Sequence, residues 1–142
     1  MIRFAGALAL VALLAQPALA EIGRIKRVAG TAAVLRGAAR LPAAPGVIVE
    51  EGDVLLTGKD GRISMTFTDN TRFSAGPNSR VALDEYRFDR TTQRGSFVTR
   101  VDAGALAVVS GQIAKSRRDA MKVRTPKSLL GVRGTRFVVN AG

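Results

Sequence analysis

The chain of 142 residues contains no cysteine, no histidine and no tryptophan. Without cysteine there can be no disulfide bond and no thiolate nucleophile. Without histidine, the commonest metal ligand and the commonest general base at neutral pH are both missing. Catalytic systems of the Ser-His-Asp and Cys-His types are therefore impossible. We expect a non-enzymatic domain held together by packing, with no catalytic residue, no cofactor and no metal site.

Aromatic side chains are also scarce, with six phenylalanines and one tyrosine. Aromatic rings supply much of the contact area at binding surfaces. The segment 84–95 is polar and charged, which predicts a longer hairpin or an exposed loop, and Tyr86 and Phe88 are its only large apolar residues. A lectin-like site built on aromatic platforms has no support in the sequence beyond these two residues.

Helical periodicity is absent too, because no long segment carries an apolar stripe with the period of a helix. Instead, turn residues recur at short intervals and alternating apolar and polar positions fill the gaps, which predicts an all-β domain of short strands. In the clearest strand, 62–68, one face holds Ile63, Met65 and Phe67, which should be buried. The proline-containing segment 38–46 predicts a loop or an irregular edge. Little helix is expected, at most one turn near 113–118.

The first twenty residues have the pattern of a secretory signal peptide. Arg3 is followed by the apolar run 4–15, and Ala18–Ala20 has the small-x-small form of a cleavage site. The apolar run is shorter than the roughly 20 residues that cross a bilayer. We therefore expect cleavage after Ala20, no transmembrane anchor afterwards, and a periplasmic or secreted product of residues 21–142.

Positive charge is in excess, with 22 Lys and Arg against 11 Asp and Glu and a net charge of +11. Residues 103–142 hold eight cations and one acid, which gives 8 − 1 = +7. Such a field attracts anions over about a Debye length, ~8 Å in physiological salt. In an exported protein these anions are acidic proteins or anionic envelope polymers, and not nucleic acid. The same charges can also simply solvate the surface and protect strand edges.

Acidic residues offer two alternative sites. Glu50, Glu51 and Asp53 could supply the paired carboxylates of a glycoside hydrolase, although a solvated turn capped by Asp53 is the simpler interpretation. Asp53, Asp60 and Asp69 could offer oxygen ligands to calcium. Their spacing matches no calcium-binding loop, and the net charge opposes the site. We expect neither activity.

Five short motifs stand in an order that resembles the FecR-type periplasmic domain. The likeness runs from about residue 23 to residue 139, and five weak motifs in order are together specific. This domain is best known as the envelope-side part of iron-siderophore sensor and sigma-regulator proteins. The motifs are the Gly-Asp turn at 51–58, the strand and turn at 62–71, the turn at 76–79, the segment 102–106, and the final Thr125–Pro126 and Val132–Thr135 elements.

The resemblance implies short strands stacked into a β-solenoid-like or β-roll domain over residues 21–142. Sensor members of the family carry a cytoplasmic regulator and a transmembrane helix before this domain, whereas this sequence begins with the predicted signal peptide. We therefore expect that it does not act directly on a cytoplasmic sigma factor. The last predicted strand, 135–139, could present an unpaired edge for docking.

Together these patterns predict an exported binding or sensing module of the envelope that acts through protein–protein contact with an acidic partner. The alternative is a binder of an anionic envelope glycan or lipid surface, such as lipopolysaccharide or peptidoglycan, through the basic C-terminal half. The candidate partner-binding residues are Arg124, Lys127, Arg133 and Arg136. Arg133 could instead form a forked bond to an acidic residue inside the domain and lock the last turn.

Overall fold

The computed structural model describes residues 20–142, so the predicted signal peptide lies almost entirely outside the described residues. Nearly all of the regular structure is β, which confirms the predicted fold class. The one helix within residues 20–142, α1, spans Gln112–Ser116 and overlaps the segment 113–118 where a single turn was expected. The strands are β1 Glu21–Ala29, β2 Ala32–Arg36, β3 Ala39–Pro42, β4 Ile48–Glu50, β5 Val54–Thr57, β6 Arg62–Phe67, β7 Arg72–Ala75, β8 Arg80–Asp89, β9 Arg94–Ala103, β10 Ala105–Val109, β11 Met121–Arg124, β12 Leu129–Gly131 and β13 Arg136–Asn140.

The strands form two sheets. The six-stranded sheet has the order β13-β10-β7-β6-β1-β4, and the seven-stranded sheet has the order β12-β11-β9-β8-β5-β2-β3. The chain crosses between the sheets repeatedly, and it advances along both from the β4 and β3 ends towards β13 and β12. Both C-terminal strands therefore lie at the same end of the molecule, joined by residues 132–135.

The β-solenoid part of the fold prediction is not confirmed by these sheets. A solenoid stacks parallel strands from successive coils, whereas every described strand pair except β9–β11 is antiparallel. Local turn chemistry accounts for this only where consecutive strands pair, as β6 and β7 do. Tight turns such as the one at Asp69 and Asn70 reverse the chain between neighbours, and Asn70 adopts the left-handed conformation with φ 70° that such a turn requires.

One apolar core lies between the inward faces of the two sheets. Ile63, Met65 and Phe67 of β6 are all buried, as the alternating pattern predicted. The centre of the core is an aromatic cluster of Phe67, Phe73, Tyr86 and Phe97, in which ring centroids lie 4.7–5.4 Å apart. Most of these rings meet edge to face, a geometry that adds to the stabilisation from burial alone.

The N-terminal strands belong to this same core. β1 lies inside the six-stranded sheet, where it pairs with β6 on one side and β4 on the other. Ile22, Ile25, Val34 and Val49 are buried in the core formed by the later strands. Residues 21–52 are therefore structurally inseparable from residues 53–142.

Two segments for which the sequence left alternatives open form regular strands in the structure. Residues 39–42, inside the expected loop, form β3 at the edge of the seven-stranded sheet, where a proline at the strand end costs no ladder bond. Residues 84–95, interpreted as a longer hairpin or an exposed loop, are the far end of the β8–β9 hairpin. Tyr86 is only 6% exposed there, so it cannot serve as an exposed platform for a sugar.

Candidate functional site

The C-terminal ends of the two sheets expose apolar side chains beside cations. Leu129 and Leu130 on β12 are 56% and 46% exposed, and Val138 on β13 is 70% exposed. β12 and β13 are both edge strands within the described part of the chain. We define the C-terminal patch by Leu129, Leu130, Arg124, Lys127 and Arg133.

The structure distributes the four predicted partner-binding residues over both sheets. Arg124 ends β11, Lys127 lies in the turn before β12, Arg133 lies between β12 and β13, and Arg136 begins β13. All four side chains are exposed. Within residues 20–142 none of them forms an ion pair. The internal role considered for Arg133 is thus not found, whereas contact with a partner stays a prediction.

A second candidate surface is a trough on the outward face of the six-stranded sheet. It has a volume of about 760 Å³ and is lined from five strands. We call it the basic trough, because its lining contains Lys26, Arg27, Arg72 and Arg136 and no acidic residue. The lining residues are 26–27 of β1, 64–66 of β6, 72–74 of β7, 107–109 of β10 and 136–138 of β13.

A β-bulge gives the trough two adjacent cations at its β1 end. The pairing of β1 with β6 shifts register between Ile25 and Arg27. In a regular strand Lys26 and Arg27 would point to opposite faces, but the extra residue of a bulge re-aims a side chain. Both side chains are exposed and both line the trough. Arg136, predicted from the C-terminal charge, lies at the other end of the trough.

The acidic cluster of the sequence is a structural element. Arg36 donates from Nε to Asp53 Oδ1 at 3.0 Å and from Nη2 to Oδ2 at 2.8 Å. Oδ2 also accepts from the Glu50 backbone N–H at 2.9 Å, so Asp53 does cap its own turn. However, Asp53 is 1% exposed and not solvated as expected. The bond to Asp53 raises the pKa of Arg36.

The remaining carboxylates of that cluster are also engaged within the fold. Glu51 Oε2 accepts from the Tyr86 backbone N–H at 2.9 Å, which ties the turn to β8. Glu50 lies 3.3 Å from Arg36 Nε. The three carboxylates thus hold a turn against a neighbouring arginine and strand. This arrangement gives no support to a hydrolase.

The three aspartates considered for calcium serve three separate turns. Asp60 accepts from the Thr31 backbone N–H at 3.2 Å, and this bond lowers the pKa of Asp60. Asp53 pairs with Arg36, and Asp69 lies in the β6–β7 turn. In the described part of the chain no three acidic side chains come close enough to hold a metal ion.

Asp69 is the residue whose role the sequence did not show. It is completely buried, and its carboxylate accepts four hydrogen bonds. Oδ1 accepts from the Thr71 N–H and from Tyr86 Oη, both at 3.1 Å. Oδ2 accepts from Thr71 Oγ1 at 2.8 Å and from the Ile113 N–H at 3.1 Å. A turn residue therefore fixes the start of α1 more than forty positions later. The Asp-Asn-Thr motif located the turn but carries no signal for this long-range contact.

Gly131 and Gly134 lie on either side of Val132 and Arg133, at the end of β12 and just after it. A Cβ on Gly131 would lie 2.4 Å from Asp119 Oδ1, but this atom ends an exposed side chain that can turn away, and the φ of Gly131 is not positive. On Gly134 the nearest atom would be 3.8 Å away, and its φ is not positive. The turn is held instead by Ser110, whose Oγ donates to the Gly134 carbonyl at 2.6 Å. Neither glycine is therefore required by a positive φ or by a clash with backbone atoms.

Comparison with known families identifies the family to which the chain belongs. Residues 53–142, well over half of the sequence, match the family model described as FecR protein. The chain belongs to the FecR family. This confirms the resemblance seen in the sequence motifs, all of which overlap the matched region. No curated protein and no solved structure matches the chain.

Membership of the FecR family indicates a class of function, and the matched residues cover the two candidate surfaces to different extents. FecR proteins form a family of regulatory sensing domains associated with the cell envelope, not a family of enzymes. The C-terminal patch lies wholly within the matched residues, whereas the basic trough combines matched strands with β1, which precedes them. No helix in residues 20–142 is long and apolar enough to span a membrane.

Proposed function

We propose that this FecR-family chain is an exported, non-enzymatic binding and sensing module of the cell envelope. It acts through protein–protein contact, with an acidic protein as partner. Export is supported by the predicted signal peptide at residues 1–20, and the sensing role by membership of the FecR family. The observation that carries the proposal is the C-terminal patch.

The patch combines the two features that a transient protein interface needs. Edge strands present unpaired backbone groups on which an incoming strand can add, and exposed apolar side chains supply the area that excludes water. All three residues of β12 are exposed, so neither of its faces packs on the core. Arg124, Lys127 and Arg133 surround this strand and select for negative charge, which raises the association rate with an acidic surface.

Site-specific photo-crosslinking in living cells tests the proposal. A photoreactive amino acid replaces Leu129 or Leu130, and a third variant carries it at Lys59, an exposed turn residue away from the patch. We expect both patch positions to crosslink to the same envelope protein and position 59 not to do so. Equal crosslinking at all three positions, or none at the patch, would contradict the proposal.

A further inference from the structure

The basic trough is a second surface with its own shape and charge. We propose that it binds a linear polysaccharide that carries acidic groups. The sequence suggested an anionic ligand for the C-terminal half, whereas the trough gathers its cations from β1, β7 and β13. The inference goes beyond the protein-binding role and does not depend on it.

Uncompensated charge is the first reason. Lys26, Arg27, Arg72 and Arg136 form no ion pair within the described residues, although several arginines elsewhere do. Nothing acidic lines the trough. Four cations held on one concave face focus a positive potential into it, which attracts a polyanion.

The direction of the trough is the second reason. Its lining covers five neighbouring strands but only two or three residues of each. With strands about 4.8 Å apart and residues about 3.3 Å apart, it measures roughly 19 Å across the strands and ~7 Å along them. A linear ligand therefore lies across the strands.

This direction disfavours a peptide strand as the occupant. A peptide that extends a sheet lies parallel to the strands and at an open edge. The central strands β6, β7 and β10 have neighbours on both sides, so the trough offers side chains and not free backbone groups. A ligand recognised through its charged and hydroxyl substituents fits this floor better.

The spacing of the cations is the third reason. Arg72 and Arg136 both pair with Val109, one from each side, so their backbones are two strand spacings apart, about 10 Å. Two linked sugar rings extend over a comparable length, which places an acidic group beside a cation at every second sugar. Ser64 and Ser74 face each other on the floor, with Oγ atoms 3.4 Å apart, and offer hydroxyls to the sugar.

Binding of fluorescently labelled alginate, a linear polyuronate, tests the inference by fluorescence anisotropy. The trough variant combines Arg27→Gln, Arg72→Gln and Arg136→Gln. The control variant combines Lys59→Gln, Arg90→Gln and Arg94→Gln, which removes the same charge from exposed positions in turns and at the start of β9. We expect the trough variant to bind about tenfold more weakly or worse, with a smaller loss at high salt. The control should change affinity by less than about threefold.

A substitution that leaves the charge unchanged distinguishes binding in the trough from attraction by a diffuse positive field. Ala107 is exposed on the floor, so Ala107→Leu fills the space and should weaken alginate binding at an unchanged unfolding temperature. If that temperature falls, Ser74→Gln repeats the test. Equal losses in both charge variants, or full binding by a folded floor variant, would overturn the inference. So would tighter binding of polyglutamate or of phosphatidylglycerol vesicles at matched negative charge.

Discussion

The hydroxyl of Tyr86 donates a hydrogen bond to Asp69 Oδ1 at 3.1 Å and accepts one from the Asp69 backbone N–H at 2.9 Å. Thr68 Oγ1 completes the phenol's surroundings at 2.8 Å. This pair joins the β6–β7 turn of one sheet to β8 of the other. Through the Ile113 N–H it also fixes α1. The two sheets are therefore linked by a buried polar network as well as by apolar packing.

Asp69→Asn should destabilise the fold by about 3 kcal/mol. The amide replaces one acceptor oxygen with a donor, so two of four buried hydrogen bonds lose their acceptor, and each unsatisfied donor costs about 1–3 kcal/mol. Urea unfolding measures the loss. Asp89→Asn is the matched control, because Asp89 Oδ1 accepts from Thr91 and Thr92 in an exposed turn and an Asn oxygen can do the same. If Asp69→Asn lowered the free energy of unfolding as little as the control does, the buried network would add no stability.

Tyr86 should resist ionisation at high pH. Burial raises its pKa above the ordinary value near 10, so the folded state favours the neutral phenol. Its contribution to stability is complete below pH ~10 and falls as the pH rises further, because the unfolded chain ionises first. Tyr86 is the one tyrosine of the chain, so tyrosinate absorbance reports this residue alone. We expect the signal at pH ~11 to appear only on addition of urea, and immediate ionisation of folded protein would refute this.

Phe67→Ala should cost about 3–5 kcal/mol, because it empties a site at the centre of the aromatic cluster. Thr66→Ala should cost less than about 1 kcal/mol, since Thr66 faces outward on the same strand. Chemical unfolding of the two variants compares them directly. Comparable losses in the two variants would contradict the assignment of Phe67 to the buried face and Thr66 to the outward face of β6.

Gly104→Ala should destabilise by about 3 kcal/mol. Gly104 has φ +78°, and a Cβ there would lie 2.1 Å from Ser79 Oγ, so both backbone strain and a clash result. Ser79 Oγ accepts from the Ala105 N–H at 3.0 Å and cannot move freely. Gly134→Ala, where a side chain has space, should change stability by less than about 0.5 kcal/mol. Thermal unfolding distinguishes them, and a neutral Gly104→Ala would contradict the described turn.

Charge reversal in the C-terminal patch should weaken binding of the crosslinked partner without unfolding the protein. Arg124, Lys127 and Arg133 are changed together to Glu, and the loss should shrink as ionic strength rises, because exposed charges are screened. The control changes Lys59, Arg90 and Arg94 to Glu. An equal loss of binding in both variants would indicate only diffuse electrostatic attraction. No loss in either variant would mean that these cations only keep the surface solvated.

Local patterns were sufficient to predict most of the strands and the family. Alternation in β6 identified Ile63, Met65 and Phe67 as core residues, because side chains on a strand point to opposite faces in turn. The short motifs identified the FecR family because each specifies a turn with a defined backbone conformation. The absence of histidine and cysteine excluded whole classes of chemistry by composition alone.

The tertiary structure alone decided how the strands associate and which charges meet. Whether strands pair within one sheet or stack as coils depends on contacts between distant residues, so the sequence did not exclude a solenoid. The burial of Asp69 required Ile113, forty-four positions later, and the pairing of Asp53 required Arg36. The trough brings together Lys26, Arg72 and Arg136 from three separated strands. No local sequence pattern predicted the β-bulge in β1 that places Lys26 there. Local conformation follows from neighbouring residues, whereas a binding surface follows from strand order and register.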